Sequence, residues 1–409
     1  MSVWITDIRT IACAPQPGCN LLVVRVDTNQ PGLFGLGCAT FTQRYLAVKT
    51  AIEEYFRPLM IGRDALSIED NWNLMNVNGY WRNGPVLNNA VSGIDQALWD
   101  ILGKHSGLPV WQLLGGKARM GVPVYRHVKG TSPEAILEKI LQMREEDGQQ
   151  YFRCQLNNVG TSSYGGCQKN YLKKADNYPA GVYCDVRSYL RTVPKLLEYL
   201  RKHLGWEIEL LHDVHEKLSP SEALQLSKAV EPYRLFYLED ILPPDKTEWL
   251  SYIRQQTTTP IAIGELFNNI MEYKPLISNC LIDYIRCHIS QIGGLTPARK
   301  LAAFAEFYSI KTAWHGPGDV SPIGHACNVH LSLATSNTGI LEWYGIDRDQ
   351  NICELFEGIP QQIGSYVYAN EKPGWGVEFN EEKAKRFPAF PSVVEWTQAR
   401  LPDGTLILP

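Results

Sequence analysis

Three short apolar runs in the middle of the chain each end in an acidic residue. They cover residues 208–213, 235–239 and 261–265, and their terminal acids are Asp213, Glu239 and Glu265, spaced 26 residues apart. An apolar run of about five residues, then a helical pattern, then another such run is typical of the β/α units of a parallel sheet. The pattern therefore predicts three consecutive parallel strands with a carboxylate at each C-terminal end.

In a β/α barrel the C-terminal edge of the strands is the catalytic face. Three carboxylates at that edge repel one another unless a cation joins them, and hard divalent metals prefer oxygen ligands. We therefore predict a metal site formed by Asp213, Glu239 and Glu265. The alternative is three unrelated acids that each begin a helix; we favour the metal because a single period accounts for all three.

The remaining strands and the flanking regions define the predicted domains. Residues 122–125, 151–156, 282–287, 310–315 and 340–343 supply further barrel strands. The first 120 residues lack the β/α rhythm and predict a small α+β domain, with strands at 5–12, 21–26 and 33–39 and helices at 45–59, 68–76 and 89–104. We expect domains at 1–120, 121–354 (the barrel) and 355–409, the last a Pro-rich segment that returns to the first domain.

One long segment interrupts the barrel pattern. Residues 157–185 have no apolar period and follow the second strand. Long loops inside compact domains are usually functional or disordered, so we expect this segment to cover the site as an active-site loop.

The predicted strand ends present several further polar side chains. Those that could face the metal are Arg153, Gln155, His215, Arg286, His315 and Glu342. Residues two apart in an extended strand face the same side, which groups His215 with Asp213. A lone histidine is more often structural or solvent-facing than catalytic, and we place His212, His288, His325 and His330 in that class.

The composition and charge of the chain limit the kinds of molecule that it could bind. The 409 residues are 44% hydrophobic and 20% charged with a net charge of −4, and no apolar run of 18 residues occurs. We therefore expect no nucleic-acid or membrane partner. The ten cysteines lack metal-type spacing and indicate free thiols in a reducing cytoplasm.

Acids, histidines and arginines around a divalent metal suit the dehydration of a sugar acid. The substrate carboxylate chelates the metal, and removal of the α-proton gives an enediolate that the metal and arginines stabilise. A general acid then expels the β-hydroxyl.

Several motifs together resemble the enolase superfamily, and within it the mannonate dehydratase branch of acid-sugar or galactonate dehydratase family proteins. The resemblance covers essentially the whole chain. It rests on residues 80–85 (YWRNGP), 92–100 (SGIDQALWD), 113–117 (LLGGK), 211–215 (LHDVH), 264–268 (GELFN), 291–296 (QIGGLT), 314–317 (WHGP) and 401–404 (LPDG).

This resemblance implies an N-terminal α+β capping domain, a (β/α)7β TIM-like barrel, one Mg²⁺ per subunit and a homo-oligomer. It implies that the metal ligands are Asp213, Glu239 and Glu265, that the general acid is His215, and that the base is Tyr164 held by Arg153. The substrate-binding positions that it implies are Thr42, His127, Glu265, Arg286, His315, Asp319 and Glu342.

The chain departs from the family pattern in three places. The loop around Tyr164 is unusual, so Tyr171, Tyr178, Tyr183 or no tyrosine could serve as base; Thr42 stands where active members usually carry Asn; and the segment 240–245 differs. We expect a dehydratase acting on mannonate, gluconate or a relative. The alternative is a divergent member that binds magnesium and sugar acids but has lost mannonate dehydration or acts on another substrate. A racemase is disfavoured because strand two lacks the Lys-x-Lys pair of those branches.

Overall fold

The computed structural model describes residues 2–156, 182–391 and 399–408. The described residues form two compact units. The first is drawn from Met1–Val124, Glu265–Lys274 and Arg286–Val394, and the second from Tyr125–Gly264, Pro275–Ile285 and Glu395–Pro409. Within the described ranges, no helix is both long and apolar enough to cross a bilayer.

The elements are numbered in chain order. The strands are β1 (Ile5–Gln16), β2 (Cys19–Thr28), β3 (Phe34–Cys38), β4 (Val122–Gly130), β5 (Tyr151–Leu156), β6 (Val182–Tyr183), β7 (Glu209–Asp213), β8 (Tyr237–Glu239), β9 (Ile261–Ile263), β10 (Tyr284–Ile285), β11 (Lys311–Thr312), β12 (Leu341–Glu342), β13 (Phe356–Glu357), β14 (Gln361–Ile363), β15 (Tyr366–Tyr368), β16 (Glu378–Phe379), β17 (Ala399–Arg400) and β18 (Leu406–Ile407). The α-helices are α1 (Tyr45–Thr50), α2 (Arg57–Met60), α3 (Ile68–Val77), α4 (Pro85–Ser106), α5 (Val110–Leu113), α6 (Pro133–Asp147), α7 (Val186–Leu204), α8 (Pro220–Val230), α9 (Leu250–Arg254), α10 (Ile270–Ser278), α11 (Leu295–Glu306), α12 (Pro322–Ala334), α13 (Gln350–Leu355) and α14 (Glu381–Ala384).

The first unit contains the antiparallel meander β1-β2-β3, with α4 packed against it. The close approach of α4 depends on glycine. A Cβ on Gly35 would overlap the backbone carbonyl of Ala97, and a Cβ on Gly37 would overlap that of Gly93. This part of the chain therefore matches the predicted α+β architecture, although the predicted helix at 45–59 is α1, a π-helical turn over Ala51–Phe56, and α2.

Buried polar side chains of α4 satisfy the backbone of β3. Asp100 accepts from the backbone N–H of Leu36 at 2.9 Å and from that of Trp375 at 2.9 Å, and Gln96 accepts from Cys38 N–H at 3.2 Å. The Trp375 indole N–H donates to the Leu36 carbonyl at 3.2 Å. Residues near the C-terminus thus complete the core around the N-terminal sheet.

The second unit is built on a parallel sheet with the order β4-β5-β7-β8-β9-β10. The apolar residues of β7, β8 and β9 are buried, as is usual where both faces of a sheet are covered. The observed strands end at Asp213, Glu239 and Ile263, so the regular pairing stops two residues before Glu265.

Capping residues in the sequence predict helix starts at Ser219, Asp245 and Ser321, and the structure has two of these. In α8 the backbone N–H of Ser219 donates to Glu222 Oε2 at 2.9 Å as part of a capping box, and α12 has Ser321 at its N-cap. The segment that begins at Asp245 is instead a 3₁₀ helix (Pro244–Trp249) followed by the single short helix α9. Seven of the nine cysteines within the described ranges are buried.

The glycine packing makes a prediction about stability. In Gly37→Ala the new methyl group overlaps the Gly93 carbonyl, so we expect about 1–3 kcal/mol of destabilisation from overpacking. Gly79→Ala is the matched control, because its Cβ would meet an ordinary contact at 3.6 Å. Thermal melts of both variants measure the difference; equal melting temperatures would show that the sheet can move away from α4.

A buried histidine makes a prediction about pH. Burial lowers the pKa of His330 to about 3, and its Nδ1 accepts from the Trp111 backbone N–H at 3.2 Å. The folded state therefore keeps His330 neutral while the unfolded chain protonates it below its ordinary pKa near 6.5. Its stabilising contribution is complete above pH 6.5 and declines as the pH falls towards 3, by at most about 1.4 kcal/mol per pH unit. His330→Gln should lose that part of the pH slope in denaturant titrations, whereas His203→Gln at an exposed position should keep it.

Candidate active site

Two acids lie at the ends of neighbouring strands in the second unit. Asp213 ends β7 and Glu239 ends β8, and the two residues are directly paired in the register of the parallel ladder. Both side chains are completely buried. Together with Asp240 they offer carboxylate oxygens that all lie within 4.8 Å of one another. We call Asp213, Glu239 and Asp240 the acidic cluster.

Asp240 was missed by the strand pattern. Alternation places residue 240 on the face opposite to 239, but its φ of 43° is left-handed and ends the strand. The turn brings its carboxylate back beside Glu239, where Oδ1 also accepts from Gly264 N–H at 3.0 Å. In the sequence, the signal for Asp240 was its position directly after Glu239. Two adjacent carboxylates at a strand end provide more oxygen atoms that could bind a metal.

Arg153 supplies positive charge to this cluster. Its Nη1 lies 2.6 Å from Glu239 Oε1 and 3.3 Å from Asp213 Oδ2, and its Nη2 lies 3.0 Å from His127 Nδ1. The parallel register pairs His127 with Arg153, so β4 and β5 bring these side chains together. Arg153 thus contacts acids and a histidine, and its guanidinium carbon lies 5.8 Å from the centroid of the Tyr125 ring. Tyr164, the base that the resemblance implies, lies outside the described residues, as do Tyr171 and Tyr178.

His215 is buried beside the acidic cluster, but for a different reason from the one predicted. Its φ is 56°, so it is not part of an extended strand. Two-residue alternation from Asp213 therefore does not explain its position. Its backbone N–H donates to Asp213 Oδ1 at 2.8 Å. The next residue, Glu216, is also left-handed, and burial together with the charges of Asp240 and Asp213 raises its pKa to about 9. Burial and the nearby carboxylates therefore favour the protonated form of Glu216.

The fourth tyrosine that could serve as the base lies in a short strand and is buried. Tyr183 lies in β6, is 1% exposed and pairs with Arg400 of β17. The ring of His212 is held between the Tyr189 hydroxyl and the Cys154 carbonyl, both at 2.8 Å. This agrees with the prediction that His212 is structural.

A second group of predicted residues meets in the first unit. Arg286 Nη2 lies 3.2 Å from Glu265 Oε2 and 3.1 Å from Glu342 Oε2. His315 Nε2 lies 3.3 Å and 3.5 Å from the same two oxygens. We call Glu265, Arg286, His315 and Glu342 the mixed-charge cluster. Two cationic or donor side chains thus share two carboxylates, an arrangement that suits an anionic, hydroxyl-rich ligand.

His288, which we placed among the structural histidines, contacts this cluster. Its Nδ1 lies 2.9 Å from His315 Nδ1, so one nitrogen donates and the other accepts. Burial lowers the pKa of His288 to about 4, which keeps it neutral and able to orient His315. In the sequence, His288 follows Arg286 by two residues, the spacing that also separates His215 from Asp213.

Thr42 and Asp319 lie together elsewhere in the first unit. The buried Thr42 hydroxyl donates to the Asn20 carbonyl at 3.0 Å and also hydrogen-bonds the Asp319 carboxyl. Burial raises the pKa of Asp319 to about 6, and the Thr42 hydroxyl opposes that rise. Both residues therefore have protein partners at a position where the family resemblance implies contacts with substrate.

Comparison with known proteins agrees with the fold and with the motifs. The model of the mandelate racemase/muconate lactonizing enzyme N-terminal domain matches residues 9–115, and that of the enolase C-terminal domain-like family matches 176–383. A D-galactonate dehydratase family member of Musicola paradisiaca is 49% identical over 421 residues, covering 99% of both chains. The family member RspA of Pantoea ananatis is 49% identical over 419 residues, covering 100% of both.

A solved structure gives the same result in three dimensions. The crystal structure of an enolase from Pantoea ananatis with bound D-gluconate and magnesium has a TM-score of 0.95 and 48% identity, covering 100% of both chains. The chain therefore belongs to the enolase superfamily and, within it, to the D-galactonate dehydratase family. Its fold is the (β/α)7β TIM-like barrel with an N-terminal α+β capping domain, which confirms the predicted fold class.

The mixed-charge cluster makes a prediction about stability. Arg286→Met removes a buried cation that contacts both Glu265 and Glu342, and we expect about 3–5 kcal/mol of destabilisation because buried charges lose their partner. Adding Glu342→Gln should restore part of the loss, since it removes one of the carboxylates. Thermal and urea melts of the single and double variants test this. Additive effects would mean that Arg286 stabilises the fold independently of Glu342.

Proposed function

We propose that the protein is a magnesium-dependent sugar-acid dehydratase that converts an aldonic acid such as gluconate or mannonate to a 2-keto-3-deoxy acid. The acidic cluster is the observation that carries this proposal. It brings buried carboxylates together at strand ends, within the region that matches the enolase C-terminal domain-like family. The gluconate and magnesium in the Pantoea ananatis structure support the same substrate class and ion for this chain.

The donor chemistry fits magnesium. Asp213, Glu239 and Asp240 are all-oxygen donors, are fully buried, and lie close enough to share an ion. Hard, small cations favour such carboxylates. We propose that Asp213, Glu239 and Glu265 hold one Mg²⁺ per subunit, and that Asp240 adds negative charge next to Glu239. When bound, the ion supplies the positive charge that stabilises a developing enediolate.

The chain's own residues have distinct proposed roles. Arg286 and His315 bind substrate oxygens, and His127, Asp319, Glu265, Glu342 and Thr42 complete the contacts. Tyr164, held by Arg153, removes the α-proton, and His215 protonates the departing β-hydroxyl. The burial of Arg153 and His215, 2% and 8% exposed, limits water around both groups and strengthens their electrostatic effects.

One observation favours the alternative of a divergent family member. Thr42 replaces an amide with a shorter hydroxyl that is already hydrogen-bonded to Asn20 and Asp319. A residue with internal partners is a poorer substrate ligand than the Asn that the family resemblance leads us to expect. A protein that binds magnesium and sugar acids without dehydrating mannonate, or that accepts a different acid, would account for it.

The remaining parts of the interpretation are also proposals. We propose the division into residues 1–120, 121–354 and 355–409, a homo-oligomeric assembly, and action in a reducing cytoplasm. The nine described cysteines form no disulfide, which supports the last of these.

A screen of aldonic acids tests the proposed reaction. We expect a 2-keto-3-deoxy product only when magnesium is present, and loss of turnover on chelation. Asp213→Asn and Glu239→Gln should each reduce kcat/KM by about 100-fold or more, because each removes a charge from the ion's ligands.

The control is Glu248→Gln, which neutralises an exposed acid in the 3₁₀ helix and should leave turnover unchanged. A magnesium-dependent thermal shift with added sugar acid but without product would support the divergent member. Absence of both turnover and shift would count against both proposals.

A further inference from the structure

A cavity of about 610 Å³ in the first unit has no part in the proposed chemistry. Its lining comes from α3, α4, α10 and α11 and from the segments that precede the last three, all of them within the first unit. None of the four residues of the mixed-charge cluster lines it. Small-molecule sites in proteins have volumes of roughly 300–1,000 Å³ and a few well-placed polar groups. The size of the cavity therefore suits a small organic ligand.

The buried part of the lining is apolar. It includes Val91, Ile292 and Leu301. Trp72 adds an aromatic ring with a fixed position, because its indole N–H donates to the Gly293 carbonyl at 2.8 Å. Removing apolar surface from water stabilises a complex by roughly 25 cal/mol per Å², and aromatic rings bury the most surface. The lining therefore favours a ligand with an aromatic body.

The charged part of the lining is entirely positive. The described lining residues include two cations, Arg82 and Lys300, and no acid. Arg82 is exposed and forms no ion pair with any residue that the structure describes. Lys300 lies 2.7 Å from a carboxylate oxygen of Glu69, but Arg299 shares that carboxylate. The surroundings of the cavity therefore keep an excess of positive charge, which attracts an anion.

Amide groups add hydrogen-bond donors on the same side as Arg82. Asn76 and Asn83 line the cavity, and their side chains have no hydrogen-bond partner in the described part of the chain. A carboxylate is acceptor-only and has about four lone-pair sites. It can therefore accept from a guanidinium and from these amides at the same time.

Two stretches of the lining continue from the mixed-charge cluster. Residues 268–270 follow Glu265, residues 291–293 follow Arg286, and both stretches contain lining residues. Asn88 Nδ2 donates to one backbone carbonyl in each stretch, at 2.7 Å in both cases. A ligand in the cavity thus contacts backbone that leads directly to two residues of the cluster.

We propose that this cavity is an effector site for a small aromatic carboxylate. The aromatic body packs against Trp72 and the buried apolar residues, and the carboxylate accepts from Arg82, whose planar guanidinium matches carboxylate geometry. Because the ligand contacts the stretches that follow Glu265 and Arg286, it favours those backbone positions that bind it best. The proposal does not depend on the reaction catalysed.

Isothermal titration calorimetry on the full chain tests the site, with naphthoate as the probe and naphthamide as its uncharged counterpart. We expect one naphthoate per chain, and at least about 10-fold weaker binding of the amide because it lacks the charge-assisted contact. Arg82→Gln should weaken naphthoate binding about 5- to 10-fold and leave amide binding unchanged. Lys311→Gln, at an exposed lysine that does not line the cavity, is the matched control and should bind both like the wild type.

Filling the cavity gives an independent test. Asn76→Trp places a large ring in the lining from α3 and should abolish naphthoate binding. Asn73→Trp, exposed on the same helix and outside the lining, should keep it. Circular dichroism should be unchanged in both variants. Equal affinities for naphthoate and the amide overturn the proposal, as does Asn76→Trp that binds like the wild type, or a wild type that does not bind at millimolar naphthoate.

Hydrogen exchange, measured without any sugar acid, tests the effector role. Naphthoate should slow exchange in peptides that cover residues 268–273 and 291–297, and should also change it in a peptide that covers 284–289, which carries Arg286 and does not line the cavity. Protection confined to the lining peptides overturns the effector role. Naphthoate binding that weakens as the protein concentration rises also overturns the proposal, because another chain would then occupy the cavity. Since no turnover is measured, failure here is separate from failure of the proposed reaction.

Discussion

Buried carboxylates at the ends of parallel strands set the main constraint on this protein. Asp213 and Glu239 are paired across two neighbouring strands and have no exposed surface. Burying like charges at such short range is unfavourable unless positive charge compensates them. Arg153 meets part of that need from the adjacent strand, with a guanidinium nitrogen at hydrogen-bonding distance from Glu239. Burial, together with the charges of Asp240 and Asp213, raises the pKa of the neighbouring Glu216.

The strand pattern predicted much of the fold because strands that are buried on both faces of a parallel sheet appear in the sequence as continuous apolar runs. The three acid-terminated runs, the N-terminal meander and the helix that follows it all occur close to the predicted positions. Boundaries were less accurate where backbone geometry changes within one or two residues. The predicted strand at residues 261–265, for example, pairs regularly only through Ile263.

Alternation along a strand predicted site residues only where the backbone is extended. Asp240 and His215 are both left-handed, and alternation along a strand says nothing about side chains beyond such a turn. His288 lies three residues beyond the end of β10, so alternation did not predict its contact with His315. Thr42 illustrates a different limit, because its hydrogen bonds to Asn20 and Asp319 depend on chain segments almost 300 residues apart.

The two compact units have a consequence for synthesis of the protein on the ribosome. Each unit is assembled from segments that alternate along the chain, and the core around β3 needs the indole of Trp375. The first 124 residues therefore emerge long before the tryptophan that completes their packing. Until then the core around β3 lacks that indole, and slow pairing between distant segments prolongs the delay. Chaperone binding during translation is thus expected to matter more for this chain than for one whose domains are continuous in sequence.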